Sequence, residues 1–180
     1  YSLIKEAQNN TEILFKFRNS IYHNHRDYWF KTRAYTHAFA CNKIYKREIF
    51  KDLRYPKGKK FEDVWLLPNI IQQCQTIATT ACGYYHYYYN PHGITATADG
   101  MALQDLLNAH LKAFELYQNA DYYLSILNVQ IDVYNRLKAP ILLPYKQYWT
   151  SFKLVLVSCL GVKTTCKIMN HLYKWRKKNR

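Results

Sequence analysis

Glu62 and Asp63 are the only adjacent carboxylates among the 12 acidic residues of this 180-residue chain. They follow the basic stretch Lys57, Lys59 and Lys60 and precede the apolar run Val64-Trp65-Leu66-Leu67. If a helix starts here, its N-terminal N–H groups and dipole stabilise ionised carboxylates. A carboxylate held there could accept a proton from a hydroxyl as that hydroxyl attacks. Acidic residues in a first helical turn are ordinary, so on residue type alone a structural role is the better reading. Seven histidines are present. His23, His25, His37, His86, His110 and His171 form no i, i+4 metal pair, and a structural role is expected for each. His92 stands apart, in the polar turn Asn90-Pro91-His92-Gly93.

The elements that must position these groups follow from local pattern. Leu14, Phe17 and Ile21 predict a helix over Thr11 to Tyr22. His23 to Tyr35 reads as a loop or short helix. Ala38 to Tyr45 reads as a short buried strand or turn, leading to a short helix near Lys46 to Phe50. A helix is predicted over Phe61 to Cys74, regular only from about Leu67 because of Pro68. Thr76 to Ala81 and Tyr84 to Tyr89 predict two strands joined by a tight turn at Cys82-Gly83. If Tyr84 to Tyr89 is extended, its side chains alternate between two faces, one of which packs inward. From Asp99, a plausible N-cap, the pattern is helical. One stripe is Leu103, Leu107, His110, Phe114 and Tyr117; the next, after a break at Asn119 to Asp121, is Tyr123, Leu127, Tyr134 and Leu137. Two more helices are expected, Tyr145 to Leu160 and Lys163 to Lys177, divided at Gly161. The fold class is therefore α/β, with a few short strands in the first half and a mainly helical second half. The organisation expected is 1–98 and 99–180.

Composition adds partners and limits. Aromatic residues make up 17%, with 18 Tyr, a side chain suited to half-wet clefts as well as to cores. The formal charge is +14. No acidic residue follows Asp132, while Arg136 to Arg180 holds eleven Lys and Arg. Such a tail favours anionic partners, unless it is simply a solvated basic helix. The five cysteines show no C-x-x-C spacing and read as free thiols in a reducing compartment. The longest strongly apolar run, Leu154 to Val162, is far short of the roughly 20 residues a spanning helix needs. The chain starts at Tyr1 with no initiator Met, which reads as a fragment.

Residue order carries more than residue type. Ala40-Cys41-Asn42-Lys43-Ile44-Tyr45-Lys46-Arg47-Glu48-Ile49-Phe50 resembles the x-x-N-K-L-Y-K-R-x-x-F segment of family 2 glycosyltransferases that build bacterial surface polysaccharides. Those enzymes continue with a basic or Gly-containing turn and then E-D, matched by Arg54-Tyr55-Pro56-Lys57-Gly58-Lys59-Lys60-Phe61-Glu62-Asp63. An aromatic-apolar helix, a strand and a Tyr-rich segment ending in a Gly/Ser-Ile-Thr turn follow, matched by Tyr84 to Tyr89 and Gly93-Ile94-Thr95. The likeness spans about Phe39 to Ala96.

The resemblance implies a fragment of a GT-A fold, with 1–98 the acceptor-side part of the catalytic domain and 99–180 a helical region with a basic tail. It implies an inverting enzyme that moves a sugar from a nucleoside diphosphate sugar to a hydroxyl of a polysaccharide or lipid-linked acceptor. Asp63 would be the general base and Glu62 would orient the site or contact the acceptor. Asn42 and Lys43 would lie near the donor-acceptor cleft, Lys43 meeting phosphate charge; Asn42 could instead serve as a turn residue. Tyr89 and His92 would contribute to substrate binding. The family's nucleotide-binding first half and D-x-D-like motif have no counterpart in these 180 residues. Ligands for Mg²⁺ or Mn²⁺ are therefore expected in a missing N-terminal half, and the chain alone is expected to be inactive. Placement would be cytoplasmic. The basic tail is read separately, from its own residues: Lys174 to Arg180, after the apolar Leu154 to Val162, suit a helix lying peripherally on anionic membrane at the inner face of the cell membrane, with Trp149 and Trp175 at headgroup level. Two other readings remain: a basic, Tyr-rich nucleic-acid-binding module, though without any named nucleic-acid motif, and a non-catalytic membrane-associated helical domain.

Overall fold

A computed structural model describes residues 2–7, 10–138 and 140–178. The class is mixed α/β, with five α-helices and a few short strands among the described residues. The chain forms two compact units, Tyr1–Ala98 and Asp99–Arg180.

Among the described residues, the strands all belong to the first unit. Strands β1 (Ser2–Ala7) and β2 (Asn10–Phe15) pair antiparallel. Strand β3 (Ser20–Tyr22) pairs antiparallel with β4 (Ile77–Thr79), and β5 (Tyr84–Tyr88) lies parallel to β1 at the edge of a three-stranded sheet ordered β2-β1-β5. Helix α1 (His25–Lys31) is capped by Asn24, whose side chain accepts from the Arg26 N–H. A 3-10 turn at Ala34–Thr36, another at Arg47–Phe50 and helix α2 (Glu62–Gln73) complete the unit. Its core is Tyr28, Trp29, Tyr35, Leu67, Ile70 and Ile71, all buried.

Four sequence expectations are corrected here. Thr11 to Tyr22 is not a helix but two strands, the end of β2 and β3, joined by an irregular link at 16–19: β2 is recruited by β1, and Ile21 is 65% exposed, so the helical-looking stripe is not a buried face. Of the two readings of Ala38 to Tyr45, a turn forms at Cys41-Asn42 and the strand does not. The Lys43 ammonium takes the carbonyls of His37 and Phe39, acceptors a ladder would otherwise use. The two strands near residue 80 exist but do not form a hairpin. Thr79 Oγ1 donates to the Arg18 carbonyl and Asn19 Oδ1 accepts from the Ala81 N–H, which pegs β4 to the β3 side, while β5 joins β1. Helix α2 is regular from Glu62 and runs through Pro68, because Leu66, Leu67, Ile70 and Ile71 are buried around the one missing backbone hydrogen bond.

The second unit is helical. Asp99 caps α3 (Gly100–Leu116) by accepting from the Ala102 N–H at 2.8 Å. Asn119 caps α4 (Ala120–Leu137) by accepting from the Tyr122 N–H at 2.7 Å. Such caps satisfy donors that the first helical turn leaves unpaired. Leu107, Phe114, Tyr117, Tyr122, Tyr123, Leu127, Leu154 and Val157 are buried together in this unit. Leu137, expected on the buried stripe, is exposed at the end of α4. Helix α5 (Phe152–Lys178) breaks at Gly161, where φ is 77°. It starts later than the sequence pattern predicts. Ser158 Oγ accepts from the Tyr148 N–H and donates to the Tyr148 carbonyl, so the segment before Phe152 folds back along the helix instead of extending it.

Candidate active site

Phe61 adopts the left-handed conformation (φ 57°) and turns the chain into α2, which puts Glu62 and Asp63 in the first helical turn. Asp63 Oδ1 accepts from the Val64 N–H at 2.8 Å. The carboxyl is half-buried, and its pKa is raised: burial is the main cause, the Glu62 charge adds to it, and the Val64 N–H and Lys43 oppose it. A carboxylate shifted this way holds a proton more readily than an exposed one, which is what a general base requires.

Asn42 and Lys43 belong to the strandless segment before the second 3-10 turn. Asn42 is only 2% exposed. Lys43 Nζ donates to the carbonyls of His37 at 2.7 Å and Phe39 at 2.6 Å and to Asn42 Oδ1 at 2.8 Å. An ammonium has three N–H donors, and these bonds use all three. Direct donation to a phosphate, the role expected for Lys43, would therefore require this clasp to open. Burial pulls the Lys43 pKa down to about 8, with the negative charge of Asp63 pulling the other way. The structure thus brings the Asn42–Lys43 segment within electrostatic reach of Asp63.

Tyr45 and Tyr55 belong to the same neighbourhood, a role the sequence reading did not assign. Both phenols are raised in pKa, chiefly by burial, and both feel the Asp63 charge. The available signal was their place in the same ordered run as Asn42-Lys43 and Glu62-Asp63. His37 is also close. Its Nε2 donates to the Thr32 carbonyl at 2.9 Å, Nδ1 is buried without a hydrogen-bond partner, and the ring packs edge-on against Phe15 and Phe17. Burial, then the Lys43 charge, lowers its pKa to about 4.

A cavity of about 720 Å³ opens beside this cluster, between the Asn42–Ile49 segment, the C-terminal half of α2 and β4. Asn42, Lys43, Tyr45, Glu48, Gln73 and Thr76 are among its polar lining residues, and Ile44, Ile49, Ile70 and Ile77 among its apolar ones. Glu62 and Asp63 do not line it; Lys43 and Tyr45 both line it and feel the Asp63 charge.

Tyr89 and His92 follow β5, are exposed and do not line the cavity. The His92 N–H donates to Asn90 Oδ1 at 2.9 Å, a self-contained turn. All five residues of β5 are exposed, so the inward-packing face expected of the Tyr-rich strand is absent. Among the described residues, no group of three or more His, Cys, Asp or Glu is placed to hold a metal ion. The five cysteines are free.

The chain matches no protein-family model, and no curated protein or solved structure shows significant similarity to it.

Proposed function

We propose that this chain is the acceptor-side portion of an inverting glycosyltransferase of the family 2, GT-A type, with Asp63 as general base. The observation that carries the reading is that the Lys43 ammonium and the Asp63 carboxylate, separate in sequence but joined in the family-like residue order, lie close enough to feel each other's charge. Asp63 takes the proton of an acceptor hydroxyl. The oxygen attacks the anomeric carbon of a nucleoside diphosphate sugar from the face opposite the leaving group. A new C–O bond forms, the bond to the diphosphate breaks, and the nucleoside diphosphate leaves with the electron pair and inversion at carbon. Glu62 orients the acceptor, and its charge keeps Asp63 basic. Lys43 holds the Asn42 segment and tempers the Asp63 carboxylate from a distance. The acceptor is a saccharide or lipid-linked hydroxyl, and the reaction runs on the cytoplasmic side of the membrane. The reading assigns the donor site and the Mg²⁺ or Mn²⁺ ligands to residues outside this chain, and no step here runs through the metal.

The test is Asp63→Asn in a protein that contains the donor-binding half, assayed with a panel of nucleoside diphosphate sugars by release of nucleoside diphosphate. Transfer should fall about 10²–10⁴-fold with donor affinity unchanged. Turnover at the unsubstituted rate would remove Asp63 from the role.

A further inference from the structure

The second part of α5 carries cations where helix-end electrostatics do not call for them. Lys163, Lys167, Lys174 and Lys178 are all exposed. Their spacing puts them on one side of a helix of about 3.6 residues per turn. Val162, Thr165 and Cys166 are buried and face another way, tying the helix to its own unit. From His171 to Lys178 every residue is exposed. These last turns show Leu172 at 40%, Tyr173 at 61% and Trp175 at 60% exposure. Trp175 lies next to this lysine row, about 60° around the helix from Lys178, with Leu172 beyond it, so one broad face carries both, while Lys177 points away. Attraction to the helix C-terminus accounts for Arg176, Lys177 and Lys178, but it fades within one turn and does not account for Lys163 or Lys167. No acidic residue follows Asp132, so none of these lysines has an i, i+4 partner on the helix.

We propose that this face of α5 docks the chain on an anionic lipid surface. Leu172 and Trp175 enter the boundary between headgroups and acyl chains, and the lysine row lies against lipid phosphates. Lipid is favoured over nucleic acid because the exposed aliphatic side chain of Leu172 gains nothing from a phosphate backbone but is stabilised at the acyl boundary. No helix among the described residues is long and apolar enough to cross a membrane, so the contact is peripheral. This docking does not depend on the glycosyl-transfer reading.

The test is flotation of the full chain with vesicles of phosphatidylcholine alone and of phosphatidylcholine mixed with phosphatidylglycerol. The chain should float only with the anionic vesicles, and added salt should release it. The pair Lys174→Gln and Lys178→Gln should lower partitioning on the order of 30-fold, from about fivefold per lysine. Trp175→Ala should weaken binding and remove a blue shift in tryptophan emission. All three sites are exposed, so circular dichroism should show the helical content of the unsubstituted chain. Equal flotation with neutral vesicles, or no effect of either change, overturns the proposal. Displacement from anionic vesicles by a single-stranded oligonucleotide at lower concentration than by soluble phosphatidylglycerol also overturns it, in favour of nucleic acid.

Discussion

Lys43 Nζ donates to the side-chain oxygen of its own neighbour, Asn42, at 2.8 Å, and the same ammonium gathers the carbonyls of His37 and Phe39. One cation thereby closes a segment that has no strand or helix to satisfy its backbone. The same segment lines the cavity and carries positive charge toward Asp63.

Replacing this cation should cost stability. Lys43→Met leaves three acceptors, two of them main-chain carbonyls, without their donor. The expected loss is about 2–4 kcal/mol, since hydrogen bonds to charged groups are the strong ones and buried acceptors left unmade are costly. Urea denaturation of the variant measures it; a loss within the error of the method would show that the clasp does not hold the segment.

The same substitution should move Asp63. The Lys43 charge favours the ionised carboxylate and holds its pKa below where burial and Glu62 alone would put it. Without the cation the Asp63 pKa should rise further. Carboxyl-carbon NMR titration of a folded variant, for example Lys43→Gln, reads this directly and independently of any enzymatic assay. A downward shift would contradict the proximity of the two groups.

Acid should destabilise both units through buried imidazoles. Burial lowers His37 and His110 to about 4 from an ordinary 6.5. As pH falls, the unfolded chain binds these protons first, so stability present above pH 6.5 is lost progressively toward pH 4. At pH 5 the loss should be about 2 kcal/mol for each ring. Denaturation midpoints at neutral pH and at pH 5 check it, and identical midpoints would refute it.

Gln130 should be the polar residue that α4 tolerates least to lose. It is fully buried, and its Oε1 accepts from the N–H groups of Leu142 at 2.8 Å and Leu143 at 3.1 Å. Gln130→Leu strands both donors and should cost about 3 kcal/mol. The neighbouring Ile131→Val, which only trims the core, should cost about 1 kcal/mol. Equal losses in thermal denaturation would mean that the irregular segment after α4 does not depend on this side chain.

Features written in local chemistry were legible in the sequence. Asp99 and Asn119 have the short side-chain acceptors that cap helices, and both do so. Gly161 occupies the one break in α5, at a positive φ that suits a residue without Cβ. Of the apolar stripe Leu103, Leu107, His110, Phe114 and Tyr117, all but the half-buried Leu103 are buried as the spacing predicts. Glu62-Asp63 does open a helix, and the ordered run around it pointed to Asn42-Lys43 as its companion.

What the sequence could not decide depended on partners distant in the chain. Leu14, Phe17 and Ile21 fit a helical period, yet β2 forms because β1 offers it an antiparallel edge. Thr76 to Ala81 and Tyr84 to Tyr89 have hairpin spacing, yet Arg18, Asn19 and β3 hold the first while β1 holds the second. Short apolar runs satisfy more than one period, and which pairing wins is set by contacts that local pattern does not contain. The candidate site divides the same way. Residue types and order named Asn42, Lys43, Glu62 and Asp63. Only the folded chain turned Lys43 inward, used up its donors on the backbone and left its charge, rather than its hydrogen bonds, to act on Asp63, because burial makes every unsatisfied carbonyl costly and an ammonium is the strongest donor within reach.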